Sequence, residues 1–232
     1  MGIPYHMTPP ENKVWYLKKS RLFDGINAEA VENCEHYFTQ TLVPKRTQIF
    51  EQGEVGRLVY LVKSGRVRLA RTTEDGKEVT VAILGPGSLF GEEVMFSDVR
   101  RTTFAVCLED SLLCSSRGED LYGLMARNAS LALNVANYLR EQRDEALTVV
   151  EDLSSLKVPD RLVKLLDRLA VEYGVPAAGG TAIGLQLTHA DIASLICSTR
   201  ETVTLQLTNL ARDGRIRVTD KQIVVLAEKR SA

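Results

Sequence analysis

"LTHADIASLICSTRETVTLQLTNLARDGRI", residues 187–216, is the stretch whose reading decides the fold. Thr188 stands three residues before Asp191, the spacing of a reciprocal amino-terminal cap, and opens a short helix over "HADIASLI". Ser198 stands three residues before Glu201, which predicts a second cap. "RETVTLQLTNLARDG" then reads as a helix ending at Gly214. Ile192, Leu195, Val203, Leu207 and Leu210 supply the buried faces, and Ala193 is small enough to let the helices cross closely. "RIRVTDKQIVVLA" follows as two β-like runs around Thr219-Asp220-Lys221, which fits a hairpin. Helix, tight turn, helix and hairpin make a winged helix-turn-helix.

Such a unit can lay its second helix in the major groove of a duplex. The amino-terminal side chains of that helix then face outward. Arg200 can donate a bidentate pair to guanine, and Glu201 can accept from cytosine N4. Thr188, His189, Thr199 and Lys221 stand where phosphate contacts would position the unit, and Thr204 completes the DNA-facing set. The plainer reading has Ser198 and Glu201 satisfying each other's backbone donors, with Arg200 a solvated charge. The ordered assembly of helices and hairpin favours DNA.

Charge is distributed to match. Residues 1–156 carry 18 Lys+Arg against 22 Asp+Glu, whereas residues 157–232 carry 11 against 8. A basic carboxyl end beside an acidic remainder is expected where only that end meets phosphate.

Upstream of this end the pattern changes twice. From about 41 to 116, "TLVPKRTQIF", "RLVYLVKSG", "RVRLARTTEDG", "KEVTVAILGPG" and "TTFAVCLED" read as short strands. Gln52-Gly53, Ser64-Gly65, Asp75-Gly76 and Gly85-Pro86-Gly87 punctuate them, which predicts an antiparallel sandwich or barrel. Helical segments flank it near 27–38 and 118–126. From 128 to 156 there is neither Gly nor Pro, and Ala132, Val135, Leu139, Gln142, Ala146, Val149, Leu153 and Leu156 alternate spacings of three and four. That heptad seam predicts one long helix facing its copy in a parallel homodimer. Pro159 then opens a new helix, "DRLVKLLDRLAVEYG", and "VPAAGGTAIG" reads as a flexible connection.

With 232 residues the chain can bury two cores, and 44% hydrophobic with 25% charged residues is ordinary for a globular protein. No apolar run approaches a membrane span, and "MGIPYHMTPPENK" lacks the basic start and apolar stretch of a secretory signal. Cys34, Cys107, Cys114 and Cys197 follow no disulfide or zinc spacing, which fits a reducing cytoplasm, and three of them lie among apolar neighbours, as buried thiols do. Neither Glu92–Glu93 nor His189 joins a nucleophile–base constellation, which excludes an enzyme. A sensor whose helix-turn-helix binds protein remains the other alternative.

Taken together, the chain resembles the cyclic-AMP receptor protein/fumarate-nitrate regulator (CRP/FNR) family of bacterial transcription factors over about residues 20–226. "GPGSLFGEEVMF…RRTTFAV" is similar to the phosphate-binding cassette of a cyclic-nucleotide domain, the seam of 128–156 to the dimerisation helix, and "STRETVTLQLTNLARDGRI" to the recognition helix. The resemblance implies an α+β chain with an amino-terminal extension (1–20) and a cyclic-nucleotide-binding-like β-roll of jelly-roll type (21–127). A dimerisation helix (128–156) and a winged helix-turn-helix (157–232) follow. It also implies a homodimer on an inverted-repeat site of double-stranded DNA, its recognition helices in successive major grooves about 34 Å apart, that recruits or blocks RNA polymerase.

Residue by residue, the cassette transfers to Gly91, Glu92, Arg101 and Thr102. Glu92 would accept from a ribose 2′-OH, and Arg101 and Thr102 would donate to the cyclic phosphate. Cyclic AMP is therefore the leading effector, with effector-independent activity as the alternative. Four departures count. The segment between Phe96 and Arg101 is one residue shorter than in cyclic-AMP responders. The pair that holds adenine there falls on Ala146 and Leu147, which offer no side-chain hydrogen bond. A third base-reading arginine is replaced by Leu205, suited to a thymine methyl, and Cys197 fills a turn position where glycine is common. Iron–sulfur and haem sensing are not supported, because Cys34 stands alone and only His6 and His36 lie in the first half. No metal is expected.

Overall fold

The structure, a computed structural model, describes residues 20–27, 29, 31, 34–95, 100–219 and 222–227. The extension expected over 1–20 lies outside these except for Ser20, and so does Lys221. The chain divides into two compact units between Glu145 and Ala146.

Among the described residues of the first unit, eight strands form two four-stranded sheets. One has the order β1 (Thr39–Val43), β8 (Ser111–Arg117), β3 (Leu58–Ser64), β6 (Leu89–Phe90). The other has the order β2 (Gln48–Phe50), β7 (Phe104–Cys107), β4 (Val67–Thr72), β5 (Glu78–Leu84). All pairings are antiparallel, as in a jelly-roll sandwich. Phe50, Val62, Val67, Leu84, Phe90, Ala105, Cys107 and Leu113 fill the space between the sheets. On the other side of β3 and β8, Val59, Leu61 and Cys114 join Phe23, Phe38, Leu121, Leu124, Leu131 and Val135 in a second core. Helices α1 (Gly118–Arg127) and α2 (Ala129–Ser155) contribute to this core.

The heptad seam is used differently along α2. Val135 is 2% exposed, and Leu139 packs on the same core, as does Tyr138. Val135, read as facing a second chain, is thus turned into its own unit, because one stripe of a helix cannot bury itself twice. Asn134 Nδ2 donates to Leu22 O at 3.0 Å and to Asp24 O at 2.9 Å, which fixes that rotation. Farther along α2, Ala146 is exposed, Leu153 is 37% exposed, and Leu147 and Val150 are 58% and 60% exposed.

In the second unit α3 (Val158–Tyr173) starts with Pro159 in its first turn, where the missing N–H costs nothing. The "VPAAGGTAIG" stretch is not a flexible connection. It forms β9 (Gly174–Ala177) and β10 (Gly180–Ile183), paired antiparallel, and β10 pairs in turn with β12 (Ile223–Leu226), which pairs with β11 (Ile216–Val218). Pro176 is tolerated because β9 is an edge strand, where a missing donor leaves no ladder broken. The small residues that suggested flexibility instead serve a tight hairpin. Two helices, α4 (His189–Leu195) and α5 (Arg200–Arg212), complete the winged helix-turn-helix, and α3 contacts α5 and the sheet.

Candidate functional site

Each unit carries one set of candidate residues. In the first, β6 delivers the chain to Gly91, whose φ of +73° lies in the left-handed region that glycine adopts without strain. The following residues, Glu92–Met95, form a 3₁₀ turn. Arg100 bridges Val55 in antiparallel sense, while Arg101 N–H donates to Glu54 O at 2.8 Å and Arg101 O accepts from Gly53 N–H at 2.8 Å. Side chains alternate across such a pairing, so Arg100 is exposed and Arg101 points inward at 2% exposure.

The Arg101 guanidinium is extensively bonded. Nη1 donates to Gly91 O at 2.9 Å and to Glu93 Oε1 at 3.1 Å, and Nη2 donates to Leu58 O. Its carbon lies 4.2 Å from the centroid of the Phe50 ring, which clusters with Tyr60 and Phe90. A side chain at Gly56 or Gly91 would run into the guanidinium, so both glycines make its cradle. Among the guanidinium nitrogens only Nε is buried without a partner.

Of the four cassette residues, Gly91 and Arg101 meet; no hydrogen bond joins Glu92 or exposed Thr102 to the guanidinium among the described residues. Burial pushes the Glu92 carboxyl up from its ordinary range, with Glu93 adding to the rise and Arg101 opposing it. Glu93 and Gly56 were not foreseen, since "GEE" offers two carboxylates and the sequence does not say which meets the arginine. Tyr138 of α2 was also missed. Its hydroxyl donates to Leu89 O at 2.7 Å, and burial, then the charge of Glu92, holds its pKa above the phenol's usual value. Ala146 and exposed Leu147, which the resemblance aligns with an adenine-holding pair, offer no side-chain donor or acceptor.

In the second unit the capping box of α4 forms as the spacing predicts. Thr188 Oγ1 accepts from Asp191 N–H at 3.1 Å, and Asp191 Oδ2 accepts from Thr188 N–H at 2.8 Å and Thr188 Oγ1–H at 2.7 Å. The second cap differs. Thr199, not Ser198, caps α5 by accepting from Thr202 N–H at 3.2 Å, which leaves the Glu201 side chain out of any box. The reason is the joint: Cys197 takes a φ of +49° and Ser198 N–H returns to Ala193 O at 2.9 Å, so the chain straightens one residue later. At the far end Gly214, with φ of +69°, lets the chain leave α5 as predicted.

Val203 and Leu207 bury one face of α5, while Arg200, Glu201, Thr204, Leu205 and Thr208 lie exposed on the other. Thr204 gives its single hydroxyl hydrogen to Arg200 O at 2.8 Å. His189 Nδ1 lies 2.8 Å from Thr204 Oγ1 and, with that hydroxyl hydrogen already given away, donates to it, which ties α4 to α5. The hydroxyls of Thr188, Thr199 and Thr204 are therefore engaged in positioning the two helices. Arg161 supports the joint from α3, donating Nε–H to Ile196 O at 3.1 Å and Nη1–H to Leu156 O at 3.0 Å.

Comparisons agree with this division. Residues 40–128 match the cyclic nucleotide-binding domain family, and residues 160–230 match the Crp-like helix-turn-helix domain family. The cyclic AMP receptor protein of Thermus thermophilus is 36% identical over 202 residues, covering 87% of this chain and 90% of that protein. The global nitrogen regulator of a Synechocystis species is 34% identical over 179 residues, covering 76% and 80%. Among solved structures, the Thermus thermophilus catabolite activator protein is similar with a TM-score of 0.52 at 35% identity, over 89% of this chain and 93% of that one. The global regulator CLP of Xanthomonas campestris shares the fold with a TM-score of 0.78 at 24% identity, over 87% of this chain and 100% of that one. With both domain families matched in this order and a 36% identical relative covered over most of its length, the chain belongs to the CRP/FNR family of transcriptional regulators.

Proposed function

We propose that the protein works as a cytoplasmic homodimer that binds an inverted-repeat site on double-stranded DNA and recruits or blocks RNA polymerase. The observation that carries this reading is the free face of α5, where Arg200 and Glu201 are exposed while Val203 and Leu207 are buried. Arg200 pairs with guanine and Glu201 with cytosine N4, Leu205 meets a thymine methyl, and His189 and Lys221 approach phosphates. Thr188, Thr199 and Thr204 hold the helices in place beside them. Two chains associate along the carboxyl half of α2 through Gln142, Ala146, Val149 and Leu153, with Leu156 just past its end and Ala132 at the other end of the same stripe.

Gly91, Glu92, Arg101 and Thr102 hold a cyclic nucleotide, with cyclic AMP the leading ligand. The cradle around Arg101 and its unpartnered Nε support an anion there. A second reading, activity without a nucleotide, is favoured by Ala146 and Leu147, which cannot hold a base through side-chain hydrogen bonds.

Fluorescence anisotropy of the purified chain on labelled duplexes, with sedimentation of the complex, tests the DNA reading. Two chains per duplex and an affinity that falls steeply with salt are expected, about one log unit per tenfold salt for each phosphate neutralised. One chain per duplex, or affinity indifferent to salt, would contradict it.

A further inference from the structure

We infer that Glu93 is an internal counter-anion: it occupies the anion-binding side of Arg101, and a cyclic phosphate must displace it to bind. The inference rests on the cassette's being a nucleotide site and adds the residue that sets how readily that site accepts its ligand.

The geometry is asymmetric. Arg101 cannot leave, because its side chain is 1% exposed, backed by the Phe50 ring at 4.2 Å and bound to the carbonyls of Gly91 and Leu58. Glu93 can, because its side chain is 25% exposed and is joined to the guanidinium by a 3.1 Å ion pair. A buried guanidinium needs a negative charge nearby, and Glu93 supplies one without any ligand. An incoming phosphate takes the Nη1 hydrogen that Glu93 now accepts, while the other Nη1 hydrogen stays on Gly91 O. Phosphate and carboxylate cannot share that site, since two like charges a few ångströms apart in a largely buried pocket repel strongly. Binding is therefore an exchange of one anion for another, weaker than binding to a vacant arginine.

The strength of Glu93's hold also bears on the two effector readings. A chain whose Arg101 is already neutralised keeps its cassette ordered without nucleotide.

The test is calorimetric titration of the full-length protein and its Glu93→Gln variant with cyclic AMP and, separately, cyclic GMP. Glutamine keeps the shape and a hydrogen-bond acceptor but removes the charge. Expected is a cyclic AMP affinity in Glu93→Gln about tenfold or more above that of the parent. Equal or weaker binding in the variant, with the parent still binding, overturns the role of Glu93 and leaves the nucleotide reading standing. No binding of either nucleotide by either protein overturns both. If Glu93→Gln does not fold, as judged by circular dichroism, Glu93→Asp substitutes for it. Its shorter side chain loosens the pair, so affinity should rise in the same direction by less, and no rise counts against the inference.

Discussion

Two arginines in this chain sit at candidate sites and live in opposite surroundings. Arg101 is turned into the sandwich, its donors directed to Gly91, Glu93 and Leu58 and its plane resting on Phe50. Arg200 opens α5 on the exposed face, beside an equally exposed Glu201. The contrast separates what each residue can do. A guanidinium whose bonds lie mostly inside the protein contributes to the fold first and to a ligand only by exchange. One left in solvent contributes little to the fold and keeps its fork for a partner.

Substitutions can break or sharpen that contrast. The largest effect is expected from Arg101→Ala, which leaves Glu93 and two carbonyls without their donor and opens a void beside Phe50. Urea unfolding should show a loss of about 2–4 kcal/mol, and any response to cyclic AMP should vanish with it. A loss within about 0.5 kcal/mol, the range of ordinary surface changes, would show that the internal bonds matter little. Arg200→Ala should behave oppositely: unchanged unfolding, with a cost of about 1–3 kcal/mol at the specific DNA site measured by anisotropy. If it unfolds the protein instead, Arg200 belongs with Arg101.

Smaller effects test the joints around each arginine. Cys197 holds a left-handed backbone at a φ of +49°, which costs a non-glycine residue about 1 kcal/mol. Cys197→Gly should raise stability by at most about 0.5 kcal/mol, less than the full relief because glycine gains freedom in the unfolded chain. Glu92→Gln tests the cassette through pH. The Glu92 carboxyl is raised in the folded protein, chiefly by burial, so its favourable contribution is present below the unfolded value and is lost as pH rises through the folded one. Thermal unfolding of Glu92→Gln should match the parent below about pH 4 and exceed it at neutral pH. A lower midpoint at neutral pH would mean that the charged form is the one the fold favours.

How far the sequence reaches is visible in the same two places. The helix-turn-helix was legible almost throughout, because capping spacings, a left-handed glycine and alternating apolar faces are local signals. It went astray by one residue at Thr199, where the conformation of Cys197 decides the cap. The strand β8 was not picked out, although it is central in its sheet. "SLLCSSR" is buried on both faces, so Leu113 and Cys114 point to different cores and no polar–apolar alternation remains. The cassette was found as a motif, yet its wiring was not, because the inward turn of Arg101 depends on pairing with residues 53–55, nearly fifty positions away. Val135 fell out of the seam for a similar reason: periodicity gives the stripe but not what covers it.

The proposed function rests on α5 reading DNA through its free face. Selection from random-sequence duplexes, run in parallel with the parent chain and Arg200→Ala, addresses this most directly. The account predicts an enriched inverted repeat for the parent and, for Arg200→Ala, the same repeat with one base position relaxed symmetrically in each half-site. No enriched repeat, or an identical pattern in both proteins, would contradict it.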